Sequence, residues 1–147
     1  MSDGAAQVVT AATWLWLGMV FAISFLEAPL KFRAPGVTLP IGLGIGRLVF
    51  RALNAVESLL ALVVLVALIL GSPSSTVVAL GAVTVAVLVV QLVGVRPALA
   101  RRSDAVLAGI TGPDAPRSTA HVWYVGLEIL KVAALITLGV SALTTPR

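Results

Sequence analysis

The sequence predicts an all-α integral membrane protein, a four-transmembrane-helix bundle built from two hairpins. Of its 147 residues, 59% are hydrophobic and only 11% are charged, whereas soluble domains carry about 25% charged residues. Four apolar runs are each long enough to cross a bilayer, because about 20 helical residues span ~30 Å of hydrocarbon. We therefore expect a single domain over residues 1–147, with helices at about 8–30, 45–70, 76–95 and 120–143.

The first predicted helix is flanked by residues typical of a membrane interface. Trp14 and Trp16 lie near its start, as expected for an aromatic belt. Glu27 and Lys31 are four residues apart near its end and can pair on one face. Pro29 is expected to kink or end this helix, because proline removes a backbone donor.

The connection over residues 33–46 contains two prolines and four glycines, so we do not expect it to begin as a regular helix. Its glycine-rich end, residues 42–47, either presents backbone amides to an anion or simply forms a flexible turn. In the second helix, Arg47 and Arg51 share a face at a spacing of four residues. Asn54 and Glu57 follow on a neighbouring strip and are expected to lie deeper in the membrane.

The third predicted helix contains Gln91 as its one strongly polar residue, and Arg96 and Pro97 are expected to close it. The following connection, residues 98–118, carries several charges and is predicted to include a short surface helix that ends at Gly109.

The fourth predicted helix contains both charge signs within its apolar run. Glu128 and Lys131 are three residues apart and can pair locally, and His121, one heptad before Glu128, lies on the same face. Trp123 and Tyr124 are expected to form a second aromatic belt.

Lysine and arginine predict the orientation. They cluster in the two connections after helices one and three, and the turn between helices two and three has none. The positive-inside rule then places both connections in the cytoplasm and both termini outside, in a multi-pass protein of the plasma membrane, or inner membrane of a bacterium.

A weak internal duplication is also visible in the sequence. Pro29 and Pro97 each precede a basic connection, and each connection is followed by a helix with an early glutamate, Glu57 or Glu128.

The polar residues of the apolar runs are the candidate ion-pathway or binding residues. They are Glu27, Lys31, Arg47, Arg51, Asn54, Glu57, His121, Glu128 and Lys131. A charge at the centre of a membrane costs roughly 2.5–3.5 kcal/mol on insertion scales, so such residues usually face protein or water. They either pair to hold the bundle together, or line a polar cavity for a cation, or meet an anionic solute or lipid headgroup.

Several other functions are disfavoured. One histidine with scattered carboxylates is a poor metal or haem site, and the chain has no cysteine. We therefore expect no metal and no cofactor. No catalytic motif is present, so an enzyme is not expected. Nucleic acid is not an expected partner, because the basic residues flank apolar runs instead of covering a soluble face.

The first hairpin resembles the family typified by transmembrane protein 205. The residues that carry the resemblance are L-W-L-G-M at 15–19, E-A-P-L-K-F at 27–32 and G-R-L-V-F at 46–50, about a third of the chain; the second half matches only in general plan. The resemblance implies a four-helix membrane fold, and the family's association with metal and drug resistance implies a role in export.

The expected function is a small membrane transporter or channel for an ion or small solute. Four helices make a thin wall for a pore, so a homo-oligomer, most simply a dimer, is expected. The alternative is a non-transporting accessory or scaffold protein that binds a partner or an anionic lipid. Water reaching Glu57 and Glu128 would favour transport, whereas a dry and fully paired layer would favour the scaffold.

Overall fold

A computed structural model of the chain describes residues 1–112 and 119–144. It consists of four helices: α1 (Asp3–Arg33), α2 (Leu39–Gly71), α3 (Ser75–Leu107) and α4 (Thr119–Thr144). Each is long and apolar enough to cross a membrane, and no strand occurs within the described residues. The predicted fold class is confirmed, and the four candidate spans indicate a multi-pass membrane protein.

The helices form a closed ring in which α1 packs against α2 and α4, and α3 packs against α4 and less extensively against α2. The core is apolar near the end that carries the N-terminus, where Val9, Val64, Leu135 and Leu138 are almost fully buried. Many large apolar side chains instead point outward, such as Ile69, which is 77% exposed. An apolar exterior around a tightly packed interior is what a lipid environment favours.

Helices α1 and α3 share an irregularity that the sequence analysis did not predict. Each contains a π-helical segment, Phe21–Glu27 in α1 and Gln91–Val95 in α3, and each segment ends two residues before a proline, Pro29 or Pro97. A proline lacks the backbone donor and crowds the preceding turn, and a wider π-helical turn relieves both effects. The matched positions support the weak internal duplication.

Because of this accommodation, Pro97 does not close the third helix, which was expected to end near residue 95. Helix α3 continues to Leu107, and Gly109 follows in a left-handed conformation with φ of 72°. The predicted separate surface helix is therefore the last part of α3. Of the charges expected in the next connection, Asp114 and Arg117 lie outside the described residues.

The glycine-rich connection is also different from its prediction. Helix α2 begins at Leu39, so Gly42 and Gly46 lie within it and not in a turn before it. Both interpretations of residues 42–47, as an anion-binding turn and as a flexible turn, are therefore wrong. The glycines instead admit side chains from the end of α1: a Cβ at Gly42 would overlap the Phe32 ring, and one at Gly46 would lie 3.0 Å from Lys31 Nζ.

Candidate functional site

A buried hydrogen-bonded network joins all four helices near their middles, and Lys131 of α4 is its centre. The Lys131 ammonium donates to Glu57 Oε1 at 2.5 Å and to Gln91 Oε1 at 2.8 Å, and it lies 3.2 Å from Glu128 Oε2. The ammonium therefore has two hydrogen-bond acceptors and a third, ion-paired carboxylate oxygen close by. Lys131, Glu57, Gln91 and Glu128 are each at most 2% exposed.

Helix α1 contributes an indole to this network. Trp16 is fully buried, and its Nε1 donates to Glu57 Oε1 at 3.0 Å. One carboxylate oxygen of Glu57 therefore accepts both the indole and the Lys131 ammonium. Because a buried carboxylate needs donors to replace water, Trp16 supplies a hydrogen-bond donor to Glu57 as well as filling the core.

Glu128 is held on both of its oxygens. Gln91 Nε2 donates to Oε2 at 2.6 Å, and the Ser24 hydroxyl of α1 donates to Oε1 at 2.9 Å. Ser24 and Gln91 belong to the two π-helical segments. The irregular turns thus supply two of the polar groups that contact this carboxylate, which is the kind of place where π-helical turns frequently occur.

A second group of side chains, the aromatic–arginine group of Phe50, Arg96 and Tyr124, lies beside the network. Tyr124 Oη lies 3.2 Å from Ser24 Oγ and accepts a hydrogen bond from Arg96 Nη2 at 3.1 Å. The Arg96 guanidinium lies 4.3 Å from the Phe50 ring centroid and 4.7 Å from that of Tyr124. A continuous polar chain therefore runs from Lys131 through Glu128 and Ser24 to Arg96.

The depth of the network follows from helix lengths. Glu57 lies 14 residues before the end of α2 at Gly71, and Lys131 lies 13 residues before the end of α4 at Thr144. At 1.5 Å per residue, both lie roughly 20 Å from the end of the bundle that carries the N-terminus. Arg51 and Arg96 lie about 30 Å from that end, which is one hydrocarbon thickness. The network is thus expected within the membrane, roughly 10 Å from the boundary marked by these arginines.

Direct ion pairing in the network is unbalanced, since the carboxylates Glu57 and Glu128 share one ammonium, Lys131. The Arg96 guanidinium is joined to Glu128 only through the uncharged hydroxyls of Tyr124 and Ser24. The members of the network are buried and mutually paired, so the site is closed to solvent in this conformation. A groove of about 550 Å³ between α1 and α2 lies near the N-terminal end and is lined by residues such as Val8 and Leu62, away from these charges.

The ion pairs within one helix were predicted from the sequence. The positions of the other candidate residues relative to the Lys131 network were not. Glu27 and Lys31 pair at 3.3 Å, and Glu128 pairs with Lys131, as expected. Four other candidates do not contact the Lys131 ammonium, namely Arg47, Arg51, Asn54 and His121. Arg47 instead pairs with Asp104 at 2.5 Å. No group of three or more metal-ligating side chains occurs in the described part of the chain.

Several members of the site were missed or misassigned. Trp16 and Tyr124 were expected at the interface as aromatic-belt residues, but both are buried and hydrogen-bonded to the site. Ser24 gave no sequence signal. Gln91 did give one, because a lone amide in an otherwise apolar helix needs a partner within the bundle. Arg96 was assigned only to a helix end.

No family model, no curated protein and no solved structure matches this chain. The resemblance to the transmembrane protein 205 family therefore stays a prediction.

Proposed function

We propose that this chain is a small membrane carrier for a proton or a small monovalent cation, described here in a closed conformation. The observation that carries the proposal is the charge imbalance of the buried network: Glu57 and Glu128 together face one ammonium, Lys131. An uncompensated carboxylate in a membrane interior is costly, so a proton or another cation is expected to balance it.

The geometry supports an exchange in which the ammonium changes partner. Lys131 contacts both carboxylates, one from α2 and one from its own helix α4. When a cation occupies Glu128, Lys131 remains paired with Glu57; when the cation leaves, Lys131 neutralises Glu128 more fully. The π-helical segments that hold Ser24 and Gln91 provide backbone able to adjust during this exchange.

The packing supports a carrier more than a channel, because the charged groups are enclosed and paired instead of lining an open path. We place the protein in the plasma membrane with both termini outside, following the basic connections. A homo-oligomer, most simply a dimer, stays part of the proposal, because four helices make a thin wall for a transport path.

The second candidate is a non-transporting accessory or scaffold protein. It is favoured by the buried and mutually paired side chains of the network, since a fully paired layer is expected for a structural role. In that case Lys131, Gln91 and Glu128 act to fix the register of α3 against α4, as buried polar groups do in some helical assemblies.

Flux into proteoliposomes distinguishes the two candidates. Glu57→Gln and Glu128→Gln, measured with an internal pH dye and with cation tracers under an imposed gradient, should each abolish the flux of the parent protein. Glu27→Gln is the matched control, because it removes a carboxylate that is 30% exposed and outside the network. Full flux in both network variants, or no flux in the parent under any gradient, would overturn the carrier in favour of the scaffold.

A further inference from the structure

Several cations lie at the end of the bundle opposite the N-terminus, and the contacts of Arg96 among them point to a ligand. Arg96 lies between two rings and donates to Tyr124 Oη, and its Nε is buried with no hydrogen-bond partner. No carboxylate of residues 1–112 or 119–144 lies within salt-bridge distance of it. A partly buried guanidinium with no anion in direct contact is an incomplete site, because its charge has lost water and reaches the Glu128 carboxylate only through Tyr124 and Ser24.

A second cation approaches the same ring. Lys31 Nζ lies 5.5 Å from the Phe50 centroid, and its side chain is only 9% exposed. Its carboxylate partner, Glu27, is more exposed and lies at the relatively long distance of 3.3 Å. Phe50 therefore lies beside both an ammonium, from the end of α1, and a guanidinium, from a position eleven residues before the end of α3.

The surroundings strengthen the positive field. The described residues at this end include seven cations, Lys31, Arg33, Arg47, Arg51, Arg96, Arg101 and Arg102, but only two carboxylates, Glu27 and Asp104. One of those carboxylates, Asp104, is already paired with Arg47. Lipid phosphates lie at the depth of the hydrocarbon boundary. An anionic headgroup at that depth is therefore attracted by all of these cations.

Apolar side chains around the cations select between a lipid and a free anion. Leu30, Phe32 and Leu48 are 53%, 41% and 69% exposed, and they lie on α1 and α2 next to Lys31 and Arg47. Acyl chains of a lipid can pack against these apolar side chains, whereas a soluble anion makes no favourable contact with them. We propose that Arg96 and Lys31 bind the phosphate of an anionic phospholipid, with Phe50 as the ring between them.

The test compares phosphatidylglycerol with phosphatidylcholine of identical acyl chains, titrated into the purified protein and followed by native mass spectrometry. We expect tighter binding of phosphatidylglycerol. Arg96→Gln should weaken it by about tenfold, because charge-assisted hydrogen bonds to phosphate are lost. Arg101→Gln is the matched control: it removes the same charge from an exposed position and should change binding by less than about twofold.

Two further variants keep the test decisive if Arg96→Gln does not fold. Arg96→Lys retains the charge but loses the planar fork and its ring contacts, and Lys31→Gln removes the second cation; each should weaken phosphatidylglycerol binding more than Arg101→Gln does. Equal losses in Arg96 and Arg101 variants would overturn the site and indicate diffuse attraction. Displacement of the lipid by millimolar inorganic phosphate would assign the site to a soluble phosphate and overturn the lipid.

Discussion

Replacing Lys131 by methionine removes the one ammonium of the buried network and leaves its two carboxylates facing each other. Methionine is similar in length and apolar, so the change deletes charge without opening a large cavity. Removing one partner of a buried ion pair costs roughly 3–5 kcal/mol. For a chain of this length, that corresponds to a melting temperature lower by roughly 10–15 °C. Gln91 also loses the donor to its Oε1.

The rescue is the sharper part of this prediction. Adding Glu57→Gln and Glu128→Gln to Lys131→Met removes both stranded charges, and it should recover more than half of the lost stability. Glu128→Gln alone should cost less than about 1 kcal/mol, because Lys131 keeps its pair with Glu57 and the new amide can still contact Ser24.

Heating followed by fluorescence-detected size-exclusion chromatography, in detergent with added lipid, measures each melting temperature. Glu27→Gln provides the control, because a partly exposed ion pair contributes at most about 1 kcal/mol. Lys131 does not stabilise the bundle by neutralising the two carboxylates if Lys131→Met melts within about 2 °C of the parent protein. The same conclusion follows if the triple variant is no more stable than Lys131→Met.

The remaining predictions concern the indole donor, helix packing and topology. Trp16→Phe keeps most of the ring but removes the donor to a buried carboxylate, so thermal unfolding should show a loss of about 1–3 kcal/mol; no change would contradict the hydrogen bond. Gly139→Ala should lower the melting temperature, because its new Cβ would lie 2.9 Å from an indole carbon of α1, whereas Gly126→Ala meets open space and should stabilise by up to about 1 kcal/mol. Cysteines introduced at Ser74 and Ser103 should label oppositely in intact cells, with Ser74 reacting from outside; labelling of Ser103 alone would reverse the orientation.

The helix ends show where reasoning from sequence was insufficient. Pro97 and the glycines near residue 42 are ordinary signals for a helix end and a loop. Both lie inside helices, because a π-helical turn accommodates the proline and because side chains from α1 fill the space beside the glycines. Packing against neighbouring helices overrides these local preferences, and a single sequence contains no direct record of that packing.

Sequence reasoning was sufficient to predict four helices long and apolar enough to cross a membrane, and to predict that the charges within their apolar runs need partners. Composition and run length suffice for that, since a bilayer admits only a few backbone arrangements. Pairs three or four residues apart, such as Glu128 with Lys131, also follow from helix geometry. The contact of Lys131 with Glu57 on another helix, which Trp16 and Gln91 join, became visible only in the packed bundle. Contacts between helices depend on the relative rotation and depth of the helices, and no spacing along one helix encodes these.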